Sequence, residues 1–439
     1  MTNESLKTGE FILSDVHEVL YDVLGGMGRF FYICDVAKTS YKHVDEVPDF
    51  YRNAWPNVLL LMALENVVLY VQHKPLLRFN DGLTSLSLGL MQELGRILFR
   101  GSETSAYIFI YNNWRLVELP WNSPVTWYIA FFLVDFFYYW GHRASHEINL
   151  FWAQHQVHHS SEEYNFPVGM RQSFFQGWCS FVFYLPMALF IPPSHFVVHK
   201  QLNLLYQVWI HTKIINTLGP LEYVLNTPQH HRVHHACNKR YLDRNYGGVL
   251  IIWDRLFSTF ALEDTSQDIV YGLVEQQPCF NPLYLQVYYN RFVAGKFSSF
   301  NEYHNKFLSL IKGPSWVPGA PWTGFEEDKL DIKPREAHDV RIPHWCNFYV
   351  LLHFTLVLMG FHYEGYTVEN LVSMLIYTVV VIWSLTSIGI ILDDHPNAPY
   401  VEAARCCFCI FLTSQCDFLD ERISFLIQLD VMFIQPLRR

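Results

Sequence analysis

Twelve of the chain's 21 histidines fall between His142 and His235, and eight of these stand in three boxes beside long apolar runs. The boxes read His142-Arg-Ala-Ser-His146, His155-Gln-Val-His158-His159 and His231-Arg-Val-His234-His235. A buried imidazole needs a hydrogen-bond partner, so isolated burial of so many rings is costly and the fold must gather them. Spacings of three and four place the rings of one box on one face of a helix.

Neutral imidazole ligates first-row transition metals, and eight or more converging ligands suit two ions better than one. No carboxylate recurs at regular spacing within the boxes, which argues against the oxygen-seeking calcium and magnesium and leaves iron, zinc, manganese or copper. His146-Glu147 does not open a zinc-peptidase motif, because position 150 is leucine.

The surroundings are those of a membrane protein. Hydrophobic residues make up 51%, aromatics 17% and charged residues only 16%, against about 25% charged in soluble chains. A mean hydropathy of only +0.09 indicates that embedded and aqueous parts are mixed. Apolar runs at residues 54–71, 174–190, 346–361 and 371–392 read as helices, with weaker candidates at 107–119, 201–210 and 407–412. Residues 82–99 carry Glu93 and Arg96 and read as a re-entrant or interfacial helix. Glu65 is an internal charge in the first run and needs a partner. No cleavable signal is expected from the polar Met1–Glu10 start. Cys406, Cys407 and Cys409 cluster without a paired framework, so free thiols are expected.

The segment 122–146 reads most clearly. Ser123 and Pro124 open a helix, which covers about 28 Å by His142, close to the hydrocarbon thickness. His142 and His146 thus emerge at the end of a spanning helix. Asp135 lies two turns earlier on the same face and is placed either to accept a hydrogen bond from a ligating imidazole or to pair between helices. Across residues 200–260, seven Lys and Arg oppose only Glu222, Asp243 and Asp254, so the third box is expected on the cytosolic side. Nothing in the chain points to nucleic acid.

The expected fold is all-α: a polytopic helical membrane protein with a di-metal histidine site at the cytosolic ends of its helices. We divide it into a polar leader (1–50), N-terminal spans (51–120), a catalytic core (121–262), an aqueous-side polar segment (263–340) and C-terminal spans (341–439).

The second box continues as His159-Ser160-Ser161-Glu162, and the third is followed by Asn245-Tyr246-Gly247 and Trp253-Asp254. With the boxes, these residues resemble the membrane fatty acid hydroxylase and sterol desaturase superfamily across residues 135–260. The passage from His211 through Leu218-Gly219-Pro220 to Thr227-Pro228, the polar segment after residue 263 and the extra C-terminal spans are similar to its ether-lipid monooxygenase branch. Ser258 departs from the superfamily, where glycine is usual.

The resemblance implies two iron ions, molecular oxygen and tetrahydrobiopterin, in the endoplasmic reticulum membrane. It implies hydroxylation of the ether-linked carbon of an alkylglycerol or lyso-ether lipid, giving a hemiacetal that splits to a fatty aldehyde and a glycerol derivative. The ligands carried over are His142, His146, His155, His158, His159, His231, His234 and His235, with His211 as a ninth. Glu147 is implied in activity, while Glu162, Asn245 and Asp254 are candidates to support the ligands. His230 adjoins the third box but breaks its spacing, which suggests a supporting or structural role. An alkyl chain entering from the membrane lipid would need an apolar slot, for which Trp127, Phe131, Phe136 and Tyr139 are candidates, as they are for plain helix packing.

Oxygen accepts four electrons and the substrate provides two, so a diffusible reductant or an electron-transfer protein must supply the rest. Two alternatives stay open: a cytochrome b5-dependent sterol or fatty acyl hydroxylase or desaturase, and a membrane metal transporter or haem-binding protein.

Overall fold

The computed structural model describes residues 25–98, 101–364 and 371–414, so much of the polar leader lies outside the described residues. Helices α1 (Trp55–Val71), α2 (Phe79–Leu98) and α3 (Ser102–Trp114) lead into α4 (Pro124–Glu147) and α5 (Asn149–His159). The short α6 (Phe166–Met170) and α7 (Gln176–Tyr184) precede α8 (Pro193–Trp209), and α9 (Pro228–His234) carries the third box. After α10 (Ile252–Leu256), the polar segment folds into α11 (Pro282–Ser299) and α12 (Tyr303–Ile311). The chain then enters α13 (His344–Glu364), α14 (Leu371–Leu392) and α15 (Ala398–Ser414). Among the described residues there is no strand, only isolated bridges pairing Leu225 with Leu250 and Ala236 with Tyr271.

The chain is a membrane protein. Among the described residues, three stretches are long and apolar enough to cross a bilayer: Val44–Val71, His344–Phe361 and Leu371–Leu392. Helix α4 is not one of them, because its tyrosines and tryptophans make it less apolar than a simple span. The polar atoms of Trp127, Tyr138 and Tyr139 find partners within the protein. Tyr138 donates to Gln207 Oε1 at 2.5 Å, and Trp127 Nε1 donates to Thr39 Oγ1 at 3.1 Å.

The helix expected over residues 82–99 is α2, Phe79–Leu98. Helix α2 is buried over most of its length and packs against α6, α13 and α14. Small residues permit this: a Cβ on Gly89 would stand 2.8 Å from the Met170 carbonyl oxygen, so only glycine allows the approach of α6. Glu65, inside α1, has its partners. It accepts Thr212 Oγ1 at 2.5 Å and the backbone N–H of Phe166 at 3.0 Å, which ties the first span to the loop just after His211.

Ser123 is the residue before α4 but makes no capping bond, and Pro124 occupies the first turn. Ile148, at φ −120°, breaks α4 from α5. The corner is pinned from outside, with Asn149 N donating to Lys312 O at 2.8 Å and Asn149 Nδ2 to Ser309 O at 2.9 Å. All eight described cysteines are free thiols.

Candidate metal centre

The nine histidines expected as ligands are all buried and form two nests. His142, His146, His155, His159 and His234 make one; His158, His211, His231 and His235 make the other. Within each nest, one nitrogen per ring lies within 4.8 Å of the others. Helical geometry explains the partition. Residues four apart share a face, while adjacent residues diverge by about 100°. His155 and His159 therefore face the first nest and His158 the second. In the third box His231 and His235 face the second nest, and His234 faces the first. The second and third boxes thus split two to one in opposite senses. The first box adds two rings to one side, and His211 adds one to the other.

Four rings are oriented by backbone carbonyls. His142 Nδ1 lies 2.8 Å from Tyr246 O, His158 Nδ1 2.9 Å from Arg171 O, His211 Nδ1 2.5 Å from Gln207 O and His234 Nδ1 2.9 Å from Arg244 O. A carbonyl can only accept, so each of these Nδ1 atoms carries the proton and each Nε2 presents a bare lone pair. His211 Nε2 nevertheless faces His158 Nε2 at 3.3 Å, with His231 and His235 Nε2 each at 3.1 Å. Lone pairs of His158 and His211 set against one another repel unless a cation lies between them. Nitrogens about 2.1 Å from one ion and about 90–105° apart would be separated by about 3.0–3.3 Å, so the donor set fits a first-row metal. In the first nest His155 Nε2 is 3.0 Å from His142 Nε2 and 3.3 Å from His159 Nε2. The buried Nε2 atoms of His146 and His234 have no hydrogen-bond partner, which metal ligation would explain.

Burial holds the rings neutral. It pushes His211 down to about 3. It drives His158, His231 and His235 well below the ordinary imidazole range, and neighbouring imidazoles reinforce the shift. Neutral rings keep their lone pairs for a metal at physiological pH.

The carbonyl that orients His142 belongs to a braced loop. Asp254 accepts the N–H groups of Tyr246 and Gly247, both at 2.7 Å, and Thr259 Oγ1 at 2.7 Å. Asn245, with φ 57°, donates to His230 O at 3.0 Å and to Ala261 O at 2.8 Å. Asp135 accepts Val249 N, Leu250 N, Trp253 Nε1 and Asn203 Nδ2 at 2.7–3.0 Å. Gly248 is required here, since its Cβ would stand 2.9 Å from Asp135 Oδ1. Asp135 therefore binds the loop that orients His142 rather than the ring itself, and the simple acceptor reading is corrected: backbone carbonyls fill the acceptor places.

Other expected residues stand further out. Glu147 pairs with Arg143 at 2.9 Å and touches no imidazole. Glu162 accepts Gln276 Nε2 and the His338 N–H, the latter at 2.6 Å, and so anchors the later polar segment. His230 belongs to neither nest and packs edge-on against Phe260, with ring centroids 5.4 Å apart.

The cavity reaching His142, His155 and His158 has a volume of about 450 Å³. From α4 it is lined by Tyr138, Gly141 and Ser145, not by Trp127, Phe131, Phe136 or Tyr139. Those four aromatics face other contacts, such as Thr39 for Trp127 and Thr259 for Tyr139. The lining stripe is the i, i+3, i+4, i+7 set that contains His142, and its small residues Gly141 and Ser145 were the available signal.

Three aromatic rings flank the nests. Trp152 lies 5.1 Å from His146, Tyr246 5.2 Å from the same ring, and Tyr164 stacks on His211 at 5.5 Å, all between ring centroids. In a chain so rich in aromatics, nothing in the sequence marks Trp152 or Tyr164, whereas Tyr246 stands in the Asn245-Tyr246-Gly247 stretch that carries the resemblance.

Comparison with known proteins gives a consistent result. A model of the fatty acid hydroxylase family matches residues 127–259, and one for the alkylglycerol monooxygenase C-terminal domain matches residues 346–429. The chain is 43% identical to alkylglycerol monooxygenase of Homo sapiens over 392 residues, 88% of this chain and 87% of that one. It is 42% identical to the Xenopus tropicalis protein of the same name over 404 residues, 91% and 90% of the two chains. Lathosterol oxidase of Homo sapiens is 31% identical over 153 residues, 33% of this chain and 49% of its own. No solved structure matches the chain.

Proposed function

The chain belongs to the alkylglycerol monooxygenase family of oxidoreductases, and from that premise we propose a di-iron, tetrahydrobiopterin-dependent enzyme acting on the ether-linked carbon of alkylglycerols or lyso-ether lipids. The observation that carries the metal reading is the pair of nests, above all the lone-pair contact of His158 with His211. Iron bound by the nine histidines would supply the activation of molecular oxygen needed to attack a C–H bond beside the ether oxygen. Tetrahydrobiopterin would supply the two electrons that the substrate does not.

The balance is simple. The ether carbon, oxygen, two electrons and two protons give a hemiacetal and water. The hemiacetal then splits, its C–O bond breaking as the hydroxyl proton passes to the glycerol oxygen, to yield a fatty aldehyde and a glycerol derivative.

The chain's own residues prepare that step. Backbone carbonyls of Arg171, Gln207, Arg244 and Tyr246 fix the imidazole tautomers. The Tyr138–Gly141–Ser145 stripe leaves an alkyl chain room beside His142. Residues 121–262 remain the proposed catalytic unit, in an endoplasmic reticulum membrane with the boxes toward the cytosol. The excess of Lys and Arg over residues 200–260 supports that orientation.

A cytochrome b5-dependent sterol enzyme is less well supported, because the lathosterol oxidase relative aligns with only 33% of the chain. A transporter would spread its ligands along a path, whereas these converge in two nests. The test supplies membranes expressing the protein with a 1-O-alkylglycerol and oxygen and follows fatty aldehyde release. Aldehyde that needs tetrahydrobiopterin and vanishes in His158→Ala is expected. Turnover supported by cytochrome b5 and its reductase without pterin would overturn the reductant.

A further inference from the structure

Two cavities reach the histidines, and they share no lining residue. The first, about 480 Å³, opens on His146, His159, His234 and His235. Its other walls come from the loop after the third box, residues 272–277, α11 and residues 314–330, all outside the three candidate spans. The second opens on His142, His155 and His158 and runs between α4, α7 and α8. Phe174, Trp178, Phe181, Phe196 and Leu204 give it apolar walls, the charged residues that line it are neutralised in the Lys200–Glu103 and Arg96–Asp49 ion pairs, and Trp178 is also 45% exposed.

We propose that the two co-substrates occupy separate chambers: a planar, pterin-type reductant in the first cavity and the lipid's alkyl chain in the second. The proposal rests on the pterin reading above and adds to it the residues that receive the reductant.

The first cavity has the chemistry a pterin needs. The aminopyrimidinone edge of such a ring offers two adjacent N–H donors, which a carboxylate accepts in parallel, and its faces stack on aromatic rings. Asp243 supplies the carboxylate. Its backbone has φ 61°, a left-handed conformation that Asp adopts more readily than most residues. Its carboxylate stands 3.9 Å from His146 Nδ1 and 3.9 Å from Lys329 Nζ, outside hydrogen-bond range of both. Trp152 forms an aromatic wall, 5.1 Å from His146 and 5.6 Å from His159 between ring centroids. Tyr288, Tyr289 and Phe292 of α11 line the same space, and Tyr289 is fixed by donating to Asn149 Oδ1 at 3.2 Å. A reductant seated there reaches the five-histidine nest without crossing the lipid's path.

The second cavity suits a hydrocarbon chain entering from the bilayer beside Trp178. It extends along α8 as far as Phe196 and Val197, about 18 Å before the end of that helix.

The experiment measures tetrahydrobiopterin binding to purified, iron-loaded enzyme in detergent under argon, with no lipid, by equilibrium dialysis. Asp243→Asn should weaken binding by about 10-fold, the scale of one charge-assisted hydrogen bond. Phe292→Ala, which removes a half-exposed ring with little risk to folding or to iron, should weaken it as well. Val197→Phe should leave pterin affinity unchanged and shift preference toward shorter alkyl chains. If Asp243→Asn and Phe292→Ala bind pterin as the wild type does, or Val197→Phe is the variant that loses it, the assignment of chambers is overturned. If iron-loaded wild-type enzyme binds no pterin at all, the pterin reading itself fails, and this proposal with it.

Discussion

Asp135 Oδ1 accepts the backbone N–H of Val249 at 2.7 Å, joining the middle of α4 to a loop 114 residues later. The same carboxylate takes Leu250 N, Trp253 Nε1 and Asn203 Nδ2, so one side chain holds the loop that lends the Tyr246 carbonyl to His142. The centre is thus organised at one remove, by carboxylates that shape backbone rather than touch rings.

Removing that carboxylate should damage both the fold and the site. Asp135→Ala leaves several buried donors unpaired and should cost about 3–5 kcal/mol, with Asp135→Asn milder because its amide oxygen still accepts. Thermal unfolding and iron per chain are the measurements. Unchanged Tm and full iron in Asp135→Ala would show that the loop holds itself.

The two nests predict separable metal loss. His146→Ala should deplete the five-histidine nest and His211→Ala the four-histidine nest, each lowering iron toward one ion per chain while activity falls by about 100-fold or more. Elemental analysis beside aldehyde release distinguishes this from collapse of the whole centre. Complete iron loss in both variants would mean that the nests bind as one unit.

His230 provides the contrast. It adjoins His231 but belongs to neither nest. His230→Phe, which preserves the packing against Phe260, should keep full iron. A drop in iron comparable to that in His231→Ala would falsify the nine-ligand set.

How much of this was legible beforehand follows the range of the interactions. The helices were visible because apolar runs and breakers act locally: residues 371–392 were delimited as found, and residues 54–71 to within one residue. The clustering of the eight box histidines was visible because imidazoles at spacings of three and four are rare without a shared purpose, whereas His211 stands alone and was marked only by the resemblance. Which nest each joined was not read, although the i, i+4 pairing of His155 with His159 and of His231 with His235 contains it. How closely α2 is packed was not legible, because its small residues matter only once α6 lies against them. The partners of Asp135 were beyond reach, since backbone donors 114 and 115 residues away carry no sequence signature.

Glu147 and Arg143 should act as a unit. Glu147 Oε1 accepts Arg143 Nε at 2.9 Å, and Arg143 Nη1 donates to Tyr139 Oη at 3.3 Å. If Glu147 contributes to activity through this pair, Glu147→Gln and Arg143→Met should lower kcat/KM by similar factors, and the double variant should be no worse than either single one. Fully multiplicative losses would assign the carboxylate an independent task.

The C-terminal helices are fastened by charges. Glu402 accepts Arg405 Nε at 2.8 Å and Nη2 at 2.6 Å, Ser387 Oγ at 2.6 Å, and the Tyr349 hydroxyl, so a carboxylate of α15 reaches both α13 and α14. Arg405 is buried and also donates to Ser384 Oγ at 3.3 Å. Desolvating such a pair is expensive, and losing one partner strands the other. Glu402→Leu should therefore cost about 3–5 kcal/mol, while Glu402→Leu with Arg405→Leu should recover much of that loss because no charge is left buried. Thermal unfolding of both variants in the same detergent reads the difference. A double variant less stable than Glu402→Leu would mean that the ion pair itself stabilises the three helices and is not merely tolerated there.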